Sequence, residues 1–185
     1  MVNVKREGYT MGVTDILKSA GYVPEKSTVG DRPILKGVYK VMFVDGKKEE
    51  PNQYGQSYSA AFKVVERLAG TDSRSSFPEF KGFFGIDEAN ASSAKKGIKK
   101  LINGFFSVGI QLDLSSDESL YTSLDAKKGS AELYVTGYKK RAMKQVDGEW
   151  VENTEAEARQ DFAFMTKVNA EKEAAKQIKK AGHPL

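Results

Sequence analysis

The segment KGVYKVMFVDG, Lys36 to Gly46, is rich in β-branched and aromatic residues and alternates with a period of two, the pattern of a strand. Tyr39, Val41 and Phe43 fall on one face, and Val38, Lys40, Met42 and Val44 on the other. Both faces are mostly apolar, which predicts a central strand ending in an Asp45-Gly46 turn. After the polar stretch GKKEEPNQYG, the segment GQSYSAAFKVVERLAG predicts a second strand, with Tyr58, Ala60, Phe62 and Val64 on one side and Ser57, Ser59, Ala61 and Lys63 on the other. The two read as a long hairpin. A third strand is expected from Glu79 to Ile86, where glycines suggest bends or bulges.

The period then changes to 3.6. In ASSAKKGIKKLINGFFSVG, Ala91, Ala94, Ile98, Leu101, Ile102 and Phe105 form one helical stripe, with Lys95, Lys96, Lys99 and Lys100 around the rest. Gly97 inside this helix would cost about 1 kcal/mol. A shorter helix is expected from Asp117 to Leu124 with Ser116 as its cap. A long β segment, GSAELYVTGYKKRAMKQV, closes at Asp147-Gly148; an acidic loop follows, and ARQDFAFMTKV supplies a last strand through Phe162, Phe164 and Val168.

Residues 1–34 read as an extension holding a short helix, Val13 to Ala20, with Thr14 as N-cap and Gly21 as C-cap. Residues 169–185 read as a basic helix and tail, leaving 35–168 as the main domain. The order of elements predicts a mainly β fold: an OB-fold-like barrel of five strands with a helix between strands 3 and 4, plus N- and C-terminal helices.

Composition narrows the functional classes. With 185 residues, 39% of them hydrophobic, the chain can bury a core in one domain with extensions. It has no Cys and one His, His183, near the C-terminus, which excludes thiolate metal sites and disulfides. The chain contains no G-x-S-x-G, G-x-x-x-x-G-K-[ST] or G-x-G-x-x-G motif. Asp113, Asp117 and Glu118 are the nearest approach to an acidic cluster, and a helix N-terminus accounts for them. The expectation is a binding protein, not an enzyme, with no cofactor and no metal. The N-terminus has no signal-peptide pattern and no apolar run long enough to span a bilayer, so a location in the cytoplasm of the cell that makes the chain, and no membrane partner, are expected.

Net charge is +4, and its arrangement is uneven. Lys127, Lys128, Lys139, Lys140, Arg141 and Lys144 face one acid, Glu132, whereas Asp147, Glu149, Glu152, Glu155, Glu157 and Asp161 face one base, Arg159. Single-strand binding needs cations that follow phosphates and rings on which bases stack. Tyr39 neighbours Lys36 and Lys40; Tyr58 and Phe62 sit beside Lys63; Phe80 and Phe83 flank Lys81; Tyr134 and Tyr138 precede Lys139, Lys140 and Arg141. Strand phenylalanines are more often core than platform, so the tyrosines are the preferred stackers, with Trp150 as a loop-tip stacker or a barrel plug. A groove lined by Lys36, Lys40, Lys63, Lys139, Lys140 and Arg141 would give a salt slope of about −4. The loops 45–55 and 146–157 would close over the bound strand.

The stretches GVYKVMFVDG, YSAAFKVVERLAG, AKKGIKKLINGFFSVGI and DAKKGSAELYVTGYKK resemble phage-encoded single-stranded DNA-binding proteins with an OB-fold, over roughly residues 35–168. The resemblance implies sequence-tolerant binding of single-stranded DNA in replication, recombination or repair, with replication or recombination proteins as partners and a homo-oligomer as a possible state. The basic end KQIKKAGHPL departs from the acidic, aromatic-ended tail common in that family. The competing readings are a structural or adaptor small barrel and an RNA-binding barrel.

Overall fold

The computed structural model describes residues 12–19, 21, 35–53, 55–70, 79–87, 97–156 and 158–181. Five strands form one antiparallel sheet: β1 (Leu35–Lys48), β2 (Ser57–Ala69), β3 (Glu79–Gly85), β4 (Glu132–Lys140) and, last in sequence, β7 (Arg159–Met165). Their spatial order is β3-β2-β1-β4-β7. Between β4 and β7, β5 (Met143–Val146) and β6 (Glu149–Glu152) pair as a separate two-stranded hairpin. The helices are α1 (Val13–Ser19), α2 (Ile98–Ser107), α3 (Asp117–Asp125) and α4 (Lys167–Lys180). The mainly β expectation holds.

The sheet curls around phenylalanines. On the inner face, Val41, Phe43, Ala60, Phe62, Phe84, Leu133, Val135 and Phe164 are buried; each large side chain removed from water contributes ~1.5–3 kcal/mol. The curl brings the outermost strands β3 and β7 together through ring contacts without a hydrogen-bonded ladder: Phe80 meets Phe162 at 5.0 Å and Phe84 meets Phe164 at 6.3 Å. Gly82 is required at this meeting, because a Cβ there would stand 2.8 Å from the Phe162 ring. The result is a curled half-barrel.

Helix α2 packs on the same core. Phe105 meets Phe43 edge-on at 5.5 Å, and Gly104 lets the helix approach Phe164, whose ring a Cβ would meet at 2.6 Å. Lys100 is drawn in as well. Its Nζ donates to the Phe162 carbonyl, pairs with Asp161 at 3.5 Å and lies 4.3 Å from the centroid of the Phe162 ring. Burial pushes this ammonium below its ordinary value, against the pull of Asp161. Lys100 therefore ties α2 to the edge strand β7, where the sequence placed it among the solvated lysines.

Both terminal helices dock. α4 lays Ala170, Ala174 and Ile178 on the outer face of the sheet, against Val38, Ala69, Met165 and Tyr134. α1 buries Val13 and Leu17 in the main core. Thr14 is not the N-cap of α1: the Asp117 carboxylate in the first turn of α3 accepts from Val13 N, Thr14 N and Thr14 Oγ1 at 2.7–2.9 Å. Gly21, at φ +60°, closes the helix as expected, its N–H donating to the Lys18 carbonyl.

Four local expectations change. Asp45-Gly46 is not a turn; β1 runs through it with a register shift after Phe43, and Gly46 leaves room for the Tyr58 ring. Gly97 is the residue before α2 and not in its interior, and Lys95, Lys96 and His183 lie outside the described residues. The acidic loop is partly strand: Asp147 and Gly148, both at positive φ, make the two-residue turn from β5 to β6. Val168 is not in the last strand. Thr166 accepts from Asn169 N and starts α4, leaving Val168 exposed in its first turn.

Candidate nucleic-acid interface

The four strand tyrosines do not share a face. Tyr58 is 2% exposed and stacks on Tyr121 at 5.7 Å in the interior; this corrects its assignment as a base platform, since no base can reach it. Tyr39, on the same inner side, is half-buried against the main core. Tyr134 points outward but packs under α4. Tyr138 is half-buried and donates to Asp161 at 3.2 Å.

The cations are dispersed too. Lys40 pairs with Glu132 at 2.5 Å, and that hydrogen bond holds its ammonium above the ordinary lysine value. Lys140 and Arg141 are exposed at the end of β4. Lys36 and Lys139 lie in β1 and β4, where the structure describes their backbone but not their side chains. Trp150 stands on β6 with 67% of its surface exposed, so it does not plug the barrel. The β1–β2 loop and the β5–β6 hairpin leave opposite ends of β1, because β4 begins beside Met42 and ends beside Leu35.

One surface does combine cations with an open ring: the outer face of β1–β2–β3. Register sets three rows across it: Met42, Lys63 and Glu79; Asp45, Ala61 and Lys81; Lys47, Ser59 and Phe83. Strand alternation puts Phe84 inside and Phe83 outside, where it is 65% exposed. Small residues, Ala61 and Ser59, form the floor between the charges.

The acids on this face are mostly engaged. Asp45 binds Lys128 at 3.0 Å, and that hydrogen bond, with one from Gly46 N, lowers its carboxyl below the usual range. Glu49, at the end of the face, is lowered first by the Ser59 hydroxyl and then by Lys47, at 3.1 Å. Lys63 and Lys81 are exposed and enter no ion pair among the described residues. The cleanest surface is therefore Phe83, Lys81 and Lys63. Phe83 was passed over as one strand phenylalanine among many, although its parity with buried Phe84 could have singled it out.

Among the described residues, no three His, Cys, Asp or Glu side chains gather as they would around a metal ion. No helix there is long and apolar enough to cross a membrane. No protein-family model matches the chain, and neither does any curated protein.

Proposed function

We propose that this chain binds single strands of nucleic acid, DNA by preference, on an OB-fold-like barrel, and serves replication, recombination or repair in a phage. Three features support the reading. The strand order β3-β2-β1-β4-β7 is that of a five-stranded Greek-key barrel opened between its third and last strands. Helices occupy the interval between β3 and β4, the place of the helix in that fold. In such barrels the face of strands 2 and 3, with the flanking loops, takes oligonucleotides, and here that face carries Lys63, Lys81 and Phe83.

The observation that carries the proposal is the exposed ring of Phe83 beside Lys81, with Lys63 further along the same face, neither lysine entering an ion pair among the described residues. A base stacked on the ring contributes ~1–3 kcal/mol, roughly 5- to 150-fold in Kd. The test is fluorescence anisotropy with a labelled oligo-dT, repeated with Phe83→Ala and Lys81→Ala. Weaker binding in both variants, and preference over a duplex, is the expected result. No salt-sensitive binding in the wild type would leave the adaptor reading in its place, and a stronger complex with matched RNA would move the preference to RNA.

A further inference from the structure

Two carboxylates of the outer face feel the charge of Lys81, and each is held first by a different group. Asp45 shares a row with Lys81, with only Ala61 between them. Its carboxyl is lowered most by the hydrogen bond from Lys128 and least by Lys81. Glu49 is lowered most by the Ser59 hydroxyl, then by Lys47, and least by Lys81. Two cross-strand steps of about 4.8 Å each separate Asp45 from Lys81, a gap within reach of the two side chains over an alanine floor. Glu79, two residues before Lys81 on β3, enters no ion pair among the described residues.

Lys128 lies on the other side of Asp45, in the connection from α3 to β4. Its Nζ stands 3.0 Å from Asp45 Oδ1 and 3.0 Å from Asp125 Oδ1. Asp125 ends α3, where the helix dipole disfavours a carboxylate, and no basic residue occupies the last turn of that helix. Lys128 gives this acid its partner, and Asp125 in turn steadies the ammonium beside Asp45. The connection itself is held without Lys128: Gly129 N donates to the Phe43 carbonyl at 2.8 Å, and Phe43 N to the Ala131 carbonyl at 2.9 Å. Ion pairs this exposed add little to stability, so the placement of Lys128 bears on the charge of the face.

We propose that Lys128 is a positioning residue of the single-strand face: by holding Asp45 on the β4 side, it leaves Lys81 free to meet a phosphate beside Phe83. Without Lys128, Asp45 turns to Lys81 and engages one of the two cations on that face. The inference rests on the reading of this face as a single-strand site.

Two measurements test it. Without nucleic acid, the Asp45 carboxyl is titrated by carbon-13 NMR in the wild type and in Lys128→Ala, each with and without Lys81→Ala. Loss of Lys81 is expected to raise the Asp45 value more in Lys128→Ala than in the wild type, because only there is Lys81 its partner; equal shifts overturn the proposal. With labelled oligo-dT, fluorescence anisotropy compares the wild type, Lys128→Ala, Asp45→Asn and the double variant. Lys128→Ala should weaken binding about two- to fivefold and reduce the log–log salt slope by about 0.7. Lys128→Arg should bind as the wild type does, and Lys128→Ala should change nothing once Asp45→Asn is present. The same loss in both backgrounds would mean that Lys128 meets a phosphate itself, and no loss in either that Asp45 does not compete for Lys81. Each of these overturns the proposal and leaves the single-strand reading standing, whereas a wild type without salt-sensitive binding takes both away.

Discussion

Phe83 and Phe84 are neighbours on β3 with opposite roles, one 65% exposed and the other 1%. Phe83→Ala should leave the unfolding free energy within about 0.5 kcal/mol, as open surface sites do, while Phe84→Ala should cost about 3–5 kcal/mol by emptying a ring-sized space; urea denaturation of both measures the contrast. Tyr58 shows why residue type alone misled. Its hydroxyl argued for a watery setting, yet both it and the Tyr121 hydroxyl are buried with no hydrogen-bond partner. Burial, the largest cause, pushes the Tyr58 phenol far up and the Tyr121 phenol to about 12. A raised phenol favours the protonated fold. Its contribution is complete below the unfolded value of about 10 and is lost as pH climbs toward the folded value. Stability should therefore fall above pH ~10, and Tyr58→Phe should soften that fall. At neutral pH the same substitution should be neutral or stabilising, since it removes an unsatisfied buried group that costs ~1–3 kcal/mol.

The elements were largely legible because periodicity reports burial. β2 emerges with Tyr58, Ala60, Phe62 and Val64 on one side as read, β3 falls at Glu79–Gly85 where a strand was expected, and Ser116 caps α3 through Ser119 N as expected. Legibility ended where a residue answers to a partner distant in sequence. Gly46 looks like a turn residue until Tyr58 fills the space beside it, and EWVE looks like loop until β5 pairs with it. Asp117 is the clearest case: a helix N-terminus explains an acid there, but nothing local says that it grips α1. Burial pushes this carboxyl up, but the hydrogen bonds from Thr14 and Val13 outweigh it and leave the group below its ordinary value. The sign follows: the grip is complete above the unfolded value near ~3.9 and is lost as pH falls through the lower folded value. Hydrogen exchange should show the Val13–Ser19 amides losing protection in acid before those of β1. Asp117→Ala should produce the same loss at neutral pH, at a cost of about 0.5–2 kcal/mol. Protection unchanged in that variant would mean that Val13 and Leu17 hold α1 unaided.

At the scale of the whole molecule, the net charge of +4 overstates what a polyanion can use. Of the six cations expected to line one groove, Lys40 is paired with Glu132, Lys140 and Arg141 lie at the far end of β4, and only Lys63 stands on the β2–β3 face. Lys81 joins it there, and Lys47 can do so only by leaving Glu49. Counterion release gives about 0.7 units of log–log salt slope per phosphate neutralised on a single strand. A strand confined to this face should therefore show a slope of about −2, against about −4 for the six-cation groove. Anisotropy titrations across a salt series read the slope directly, and the double change of Lys63 and Lys81 to Ala should take most of it away. A slope near −4 that survives those changes would move the path of the strand to Lys140 and Arg141 at the end of β4. The affinity that remains at high salt would then belong to the rings, and its loss in Phe83→Ala alone would place the bases on β3.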